Sequence, residues 1–106
     1  MEDMVGALMS ELKAGLEAMY ARRLEGVYLY GSYGRGENDP ESDVDVLVVL
    51  DQVEHYAAEV DRTGCLVSEL SLKYGVSISR VFVSRADWSG RETSFLVNVR
   101  EEAVPV

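Results

Sequence analysis

The run Val44, Val46, Leu47, Val48, Val49 and Leu50 constrains this 106-residue chain more than any other stretch. So many apolar, mostly β-branched residues in so short a span read as a central strand covered on both faces. Asp43 and Asp45 stand at the head of that strand. Carboxylates at the start of a buried strand need a compensating partner, because an ion taken out of water unpaired is costly.

The rest of the chain supplies neighbours for this strand. Val5, Leu8, Met9, Leu12, Leu16, Met19 and Tyr20 recur at steps of three and four, which predicts an amphipathic helix over residues 3 to about 24. Val27 to Tyr30 form a short β-prone run ended by Gly31. Residues 33 to 42, with their glycines and Asn38-Asp39-Pro40, read as a loop that opens with a helical turn at Ser32. Asp51, with Glu54 three residues on, can begin a second helix with an apolar face of Val53, Tyr56, Ala57, Val60, Val67, Leu70 and Tyr74, capped by Gly75. Val76 to Ser84 predicts a third strand, and Ser89-Gly90-Arg91-Glu92 resembles a capping box opening a last helix through about Arg100. Val104-Pro105-Val106 suits an edge segment, where proline is tolerated. The expectation is one α/β domain, residues 1–106, with a short mixed sheet flanked by helices.

Composition narrows the classes of function. A formal charge of −9 disfavours direct nucleic-acid binding, which relies on clustered Lys and Arg, and favours a basic protein partner. One cysteine, Cys65, excludes an internal disulfide and a Cys-rich zinc site, and fits a reducing cytoplasm. No early segment reads as a basic start followed by an apolar run and a cleavage site, and no apolar run is long enough for a membrane span, so the expectation is a protein neither secreted nor membrane-inserted.

The chemistry concentrates between the first two strands. Strand periodicity puts Asp43 and Asp45 on one face with Cα atoms about 6 to 7 Å apart, so both carboxylates can converge on one cation. All the candidate ligands are oxygens, which selects Mg2+. Gly31 allows a sharp turn with close approach of a phosphate to backbone N–H groups, and Ser32 adds a hydroxyl donor. Arg35 is the nearest cation and can grip phosphate oxygens. The glycines run G-x-x-G-x-G with no Lys-Ser or Lys-Thr following, so neither a P-loop nor a dinucleotide fingerprint is present. An EF-hand loop fails as well, because Val46-Leu47-Val48 follows Asp45.

Gly31-Ser32-Tyr33-Gly34-Arg35-Gly36 and, with ten residues between Ser32 and Asp43, Asp43-Val44-Asp45 resemble the signature of the nucleotidyltransferase superfamily that includes DNA polymerase β, in its minimal nucleotidyltransferase branch. The resemblance covers nearly the whole chain and implies that family's small α/β core. It implies transfer of a nucleoside monophosphate, usually AMP from ATP, to an acceptor hydroxyl. Asp43 and Asp45 would be the catalytic metal ligands, and Gly31, Ser32 and Arg35 the nucleotide-binding residues. It also implies a helical HEPN-domain partner, with this chain as antitoxin to that toxin. One departure stands out: the superfamily takes a third carboxylate from a later strand, and Val76 to Ser84 holds no Asp or Glu. Asp87 follows that strand. The alternative reading is therefore a non-catalytic module that binds nucleotide or neutralises its partner by association.

Several residues have plainer readings. His55 is expected on the exposed side of the second helix, Cys65 as a small helix-packing residue, and Arg22, Arg23, Arg80 and Arg85 as solvent charges. Tyr33 either stacks near a base or closes the turn.

Overall fold

The structure is a computed structural model that describes residues 3–34 and 43–106. Helix α1 (Asp3–Tyr20) leads through a 3-10 turn (Ala21–Arg23) into β1 (Leu24–Tyr30) and the one-turn helix α2 (Gly31–Gly34). Strand β2 (Val44–Leu50), helix α3 (Tyr56–Tyr74) and strand β3 (Ile78–Ser84) follow, then α4 (Arg85–Gly90), α5 (Ser94–Glu102) and β4 (Val104–Pro105). The sheet order is β3-β2-β1-β4. It is mixed, with β1 antiparallel to β2 and β4, and β3 parallel to β2. This is the expected α/β class.

Alternation along β2 divides the interior in two. Val44, Val46, Val48 and Leu50 face α1 and α3, where they pack with Leu8, Leu12, Leu16 and Leu70. Leu47 and Val49 face the other way, with Tyr30 and Val99, and Trp88 leans on them from α4. Each fully buried leucine here contributes roughly 1.5–3 kcal/mol of transfer free energy. Both faces of β2 are thus covered, which the apolar run demanded.

Several local expectations are corrected. The first helix stops at Tyr20 because Ala21 takes a φ of 51°, a left-handed conformation that ends the helical ladder. The second helix begins at Tyr56 rather than Asp51. Asp51 is engaged elsewhere: its Oδ1 accepts from Arg23 Nε at 3.1 Å and from Gln52 N–H at 2.7 Å. His55 is the N-cap residue of α3, outside the helix proper, and makes no side-chain cap bond. Gly75 caps α3 as expected, at φ 66° with its N–H donating to Ser71 O.

Ser89 lies inside α4, so it opens no helix. The caps are Ser84, accepting from Asp87 N–H at 3.1 Å, and Thr93, accepting from Leu96 N–H at 3.2 Å. Arg100 ties the two helices together, donating from Nε to Trp88 O at 2.6 Å and from Nη2 to Asp87 O at 3.0 Å. Cys65 is exposed rather than packed. Arg80 is not a solvent charge, since it reaches α3 and donates to Thr63 Oγ1 and to Val60 O, both at 2.7 Å.

Candidate active site

The candidate site forms where β1 ends and β2 begins. Antiparallel pairing sets Tyr30 opposite Asp45, and the chain leaves β1 directly into the turn of α2. Gly31 sits in the left-handed region at φ 70°. A Cβ added there would run into Asp45 Oδ2 and lie 3.1 Å from Asp45 Cγ. Glycine is therefore required twice, by the backbone conformation and by the carboxylate against it. Tyr33 is buried among the α1-side residues.

Asp45 is half-buried and Asp43 exposed, which grades the pair from protein interior to solvent. By strand periodicity both share the face of Leu47 and Val49. Tyr30 occupies the same face, with Phe95 of α5 edge-on at 5.9 Å between ring centroids. Its phenol is pushed up to about 12, first by burial and then by the negative charge of Asp45, with Glu102 contributing less. Tyr30 is thus a neutral hydroxyl at working pH. The C-terminal end of α5 also comes into electrostatic range of the site through Glu102.

On the opposite flank of Asp45 stands Ser79 of β3, its partner in the parallel register. Asp87 is engaged elsewhere, in the first turn of α4, which begins after Ser84 pairs with Leu50 at the far end of β2. Its carboxylate faces Arg91 at 3.6 Å. The side chain of Ser32 and the whole of Arg35 lie outside the described residues, as does the acidic stretch from Glu37 to Glu41. Tyr30, Ser79 and Glu102 were missed as site neighbours from sequence. Tyr30 carried a usable signal, since it directly precedes Gly31, whereas Ser79 becomes visible only with the strand register.

The donor set can be tested against a divalent cation. Among the described residues no three His, Cys, Asp or Glu side chains gather as a metal-holding group. Asp43, exposed, and Asp45, half-buried, offer two carboxylates, an all-oxygen pair. Mg2+ is commonly held by one or two carboxylates together with substrate phosphates, so the set fits.

Comparison with known proteins shows the family and the fold. The profile of the nucleotidyltransferase domain family matches residues 9–102. The chain belongs to that family and is a nucleotidyltransferase. A relative named "Putative protein adenylyltransferase MJ0141", from Methanocaldococcus jannaschii, is 32% identical over 93% of this chain and 95% of its own length. A solved structure named as a putative minimal nucleotidyltransferase superposes with a TM-score of 0.63 at 24% identity, covering 99% of this chain and 97% of the other. A chain from a toxin-antitoxin crystal structure with AMP-PNP superposes with a TM-score of 0.61 at 20% identity, covering 89% of this chain and 68% of that one. These superpositions bear out the small nucleotidyltransferase-like fold.

Proposed function

We propose that this chain transfers AMP from ATP to a hydroxyl of a partner protein, acting in the cytoplasm as the antitoxin of a helical HEPN-domain toxin. The observation that carries this reading is the contact of the Gly31 turn with Asp45, which joins a phosphate-approach turn to a carboxylate pair at one end of the sheet. The relative named as a protein adenylyltransferase supports the protein acceptor. The toxin-antitoxin neighbour with AMP-PNP supports the nucleotide and the kind of partner.

In this reading the N–H groups after Gly31, the Ser32 hydroxyl and Arg35 seat the triphosphate. Asp43 and Asp45 hold Mg2+, which when bound offsets phosphate charge and aligns the in-line displacement. The acceptor oxygen bonds to the α-phosphorus as the bond to the β-phosphate bridging oxygen breaks, releasing pyrophosphate. The hydroxyl proton passes to water or to a site carboxylate. The small domain leaves the site open, so a bulky acceptor can dock against it.

The test is transfer of labelled AMP from ATP to a co-purified partner, with mass spectrometry of the product. The parent should add the mass of AMP, and Asp43→Asn with Asp45→Asn should cut the rate by at least about 10²-fold. A double variant as fast as the parent refutes the site. A partner left unmodified yet inhibited supports instead the association module, which the serine beside Asp45 in β3 favours.

A further inference from the structure

We propose that one flank of α5 is the nucleoside wall of the site, with Phe95 as the platform on which the adenine base stacks and Asn98 reading its edge; this rests on the function proposed above. Leu96 and Val99 are the buried side of α5, and Arg100 ties one flank to α4 by donating to Trp88 O. At about 100° per residue, Phe95, Asn98 and Glu102 fall together on the other flank.

That flank stands beside Tyr30. The rings of Phe95 and Tyr30 meet edge-on with 5.9 Å between centroids, and the negative charge of Glu102 reaches the Tyr30 phenol. Tyr30 pairs with Asp45 and leads directly into the Gly31 turn, and α5 itself lies against that turn. The wall is therefore next to the place assigned to the phosphates.

Its chemistry suits a base better than a phosphate. Phe95 is 43% exposed, which leaves part of a large flat apolar ring to water. Stacking a base on it removes that surface from water and needs only a π-face on the ligand. Asn98, exposed and one turn further along, carries a donor and an acceptor in one planar amide, the pair that adenine meets with a ring nitrogen and its amino group. Neither side chain is cationic. Phosphate oxygens go to the Gly31 turn and the cation, and the nucleoside to α5.

The experiment measures binding of ATP and of inorganic tripolyphosphate, each with Mg2+, by isothermal titration calorimetry. Tripolyphosphate carries the phosphates without the nucleoside. Phe95→Leu keeps apolar bulk against Tyr30 and removes the flat face, so it should weaken ATP by about 5-fold or more and leave tripolyphosphate within about 2-fold. Asn98→Ala should shrink the preference for ATP over CTP by about 5-fold or more. Equal losses for ATP and tripolyphosphate in Phe95→Leu, or no loss in either, overturn the inference and leave the proposed function standing. So does unchanged ATP affinity with slower transfer to the partner, because Phe95 then serves the acceptor. A parent that binds neither ligand brings down the proposed function as well.

A measurement on the parent alone decides the matter if Phe95→Leu does not fold. The chain has two phenylalanines, and Phe82 is buried on the α1 side of the sheet. With labelled phenylalanine and saturating non-hydrolysable ATP analogue, nuclear Overhauser contacts from the carbon-bound protons of the adenine ring should fall on the Phe95 ring. A saturated complex with no such contact overturns the inference.

Discussion

Replacing Gly31 by alanine isolates the contact on which the site is built. Two costs are expected. The φ of 70° is penalised for a residue with a Cβ by roughly 1–2 kcal/mol, and the new methyl collides with Asp45, which adds about 1–3 kcal/mol of overpacking. The total is about 2–5 kcal/mol, read as a lower urea midpoint at unchanged m. The molecule contains its own calibration. Gly75 has a φ of 66° with nothing within 4 Å of an added Cβ, so Gly75→Ala reports the backbone penalty alone. The excess of Gly31→Ala over Gly75→Ala is the collision with Asp45. Repeating Gly31→Ala in an Asp45→Ala background should remove most of that excess, leaving only the 3.3 Å approach to the Asp45 Cβ. Equal costs for Gly31→Ala in the two backgrounds would refute the reasoning.

Two further outcomes follow from the ion pairs. Glu59 is buried with Tyr20 O–H donating to it at 2.6 Å, Arg62 Nε at 3.2 Å and Arg23 Nη2 at 3.6 Å, so Glu59→Ala should cost about 1–3 kcal/mol in urea unfolding; a change under about 0.5 kcal/mol would contradict this. Asp51 and Glu11 are both held below the usual carboxylate range, Asp51 first by Arg23 and then by Gln52 N–H, Glu11 first by Lys73 and then by Tyr74. A lowered folded-state pKa gives stability that is present above the ordinary carboxylate value and lost as pH falls through the folded one. Asp51→Asn with Glu11→Gln should therefore flatten the loss of stability between about pH 5 and pH 2, measured by urea midpoints across that range.

The parts of the fold written in local pattern were legible. The apolar run of β2, the three- and four-residue steps of α1 and the glycine that ends α3 each specify their element through residues close in sequence. So did the meeting of Gly31 and Asp45, since the motif spacing brings one strand end to the next strand's head. What failed was decided by competition with distant partners. Asp51 has the chemistry of an N-cap, but Arg23 claims its carboxylate from the 3-10 turn after α1. Ser89 has the chemistry of one too, yet Ser84 and Thr93 flank it with caps for two shorter helices. Arg80 looks like a solvent charge until α3 lies over it. Ser79 carries no signal of its own, because its neighbour is set by a parallel register that no short window encodes.

The mixed pairing also sets an order of events as the chain folds. Gly31 and Asp45 come from adjacent antiparallel strands joined by a short stretch of chain, so little loop entropy is lost in bringing them together. Ser79 reaches Asp45 only after the crossover through α3 is closed, and non-local parallel pairing is intrinsically slower. The carboxylate pair and its glycine turn thus belong to the part of the molecule that loop closure favours forming first. The β3 flank arrives later, on a strand whose own formation the glycine turn does not govern. A substitution at position 79 is then felt mainly in how fast the finished sheet comes apart, and little in how fast it is made.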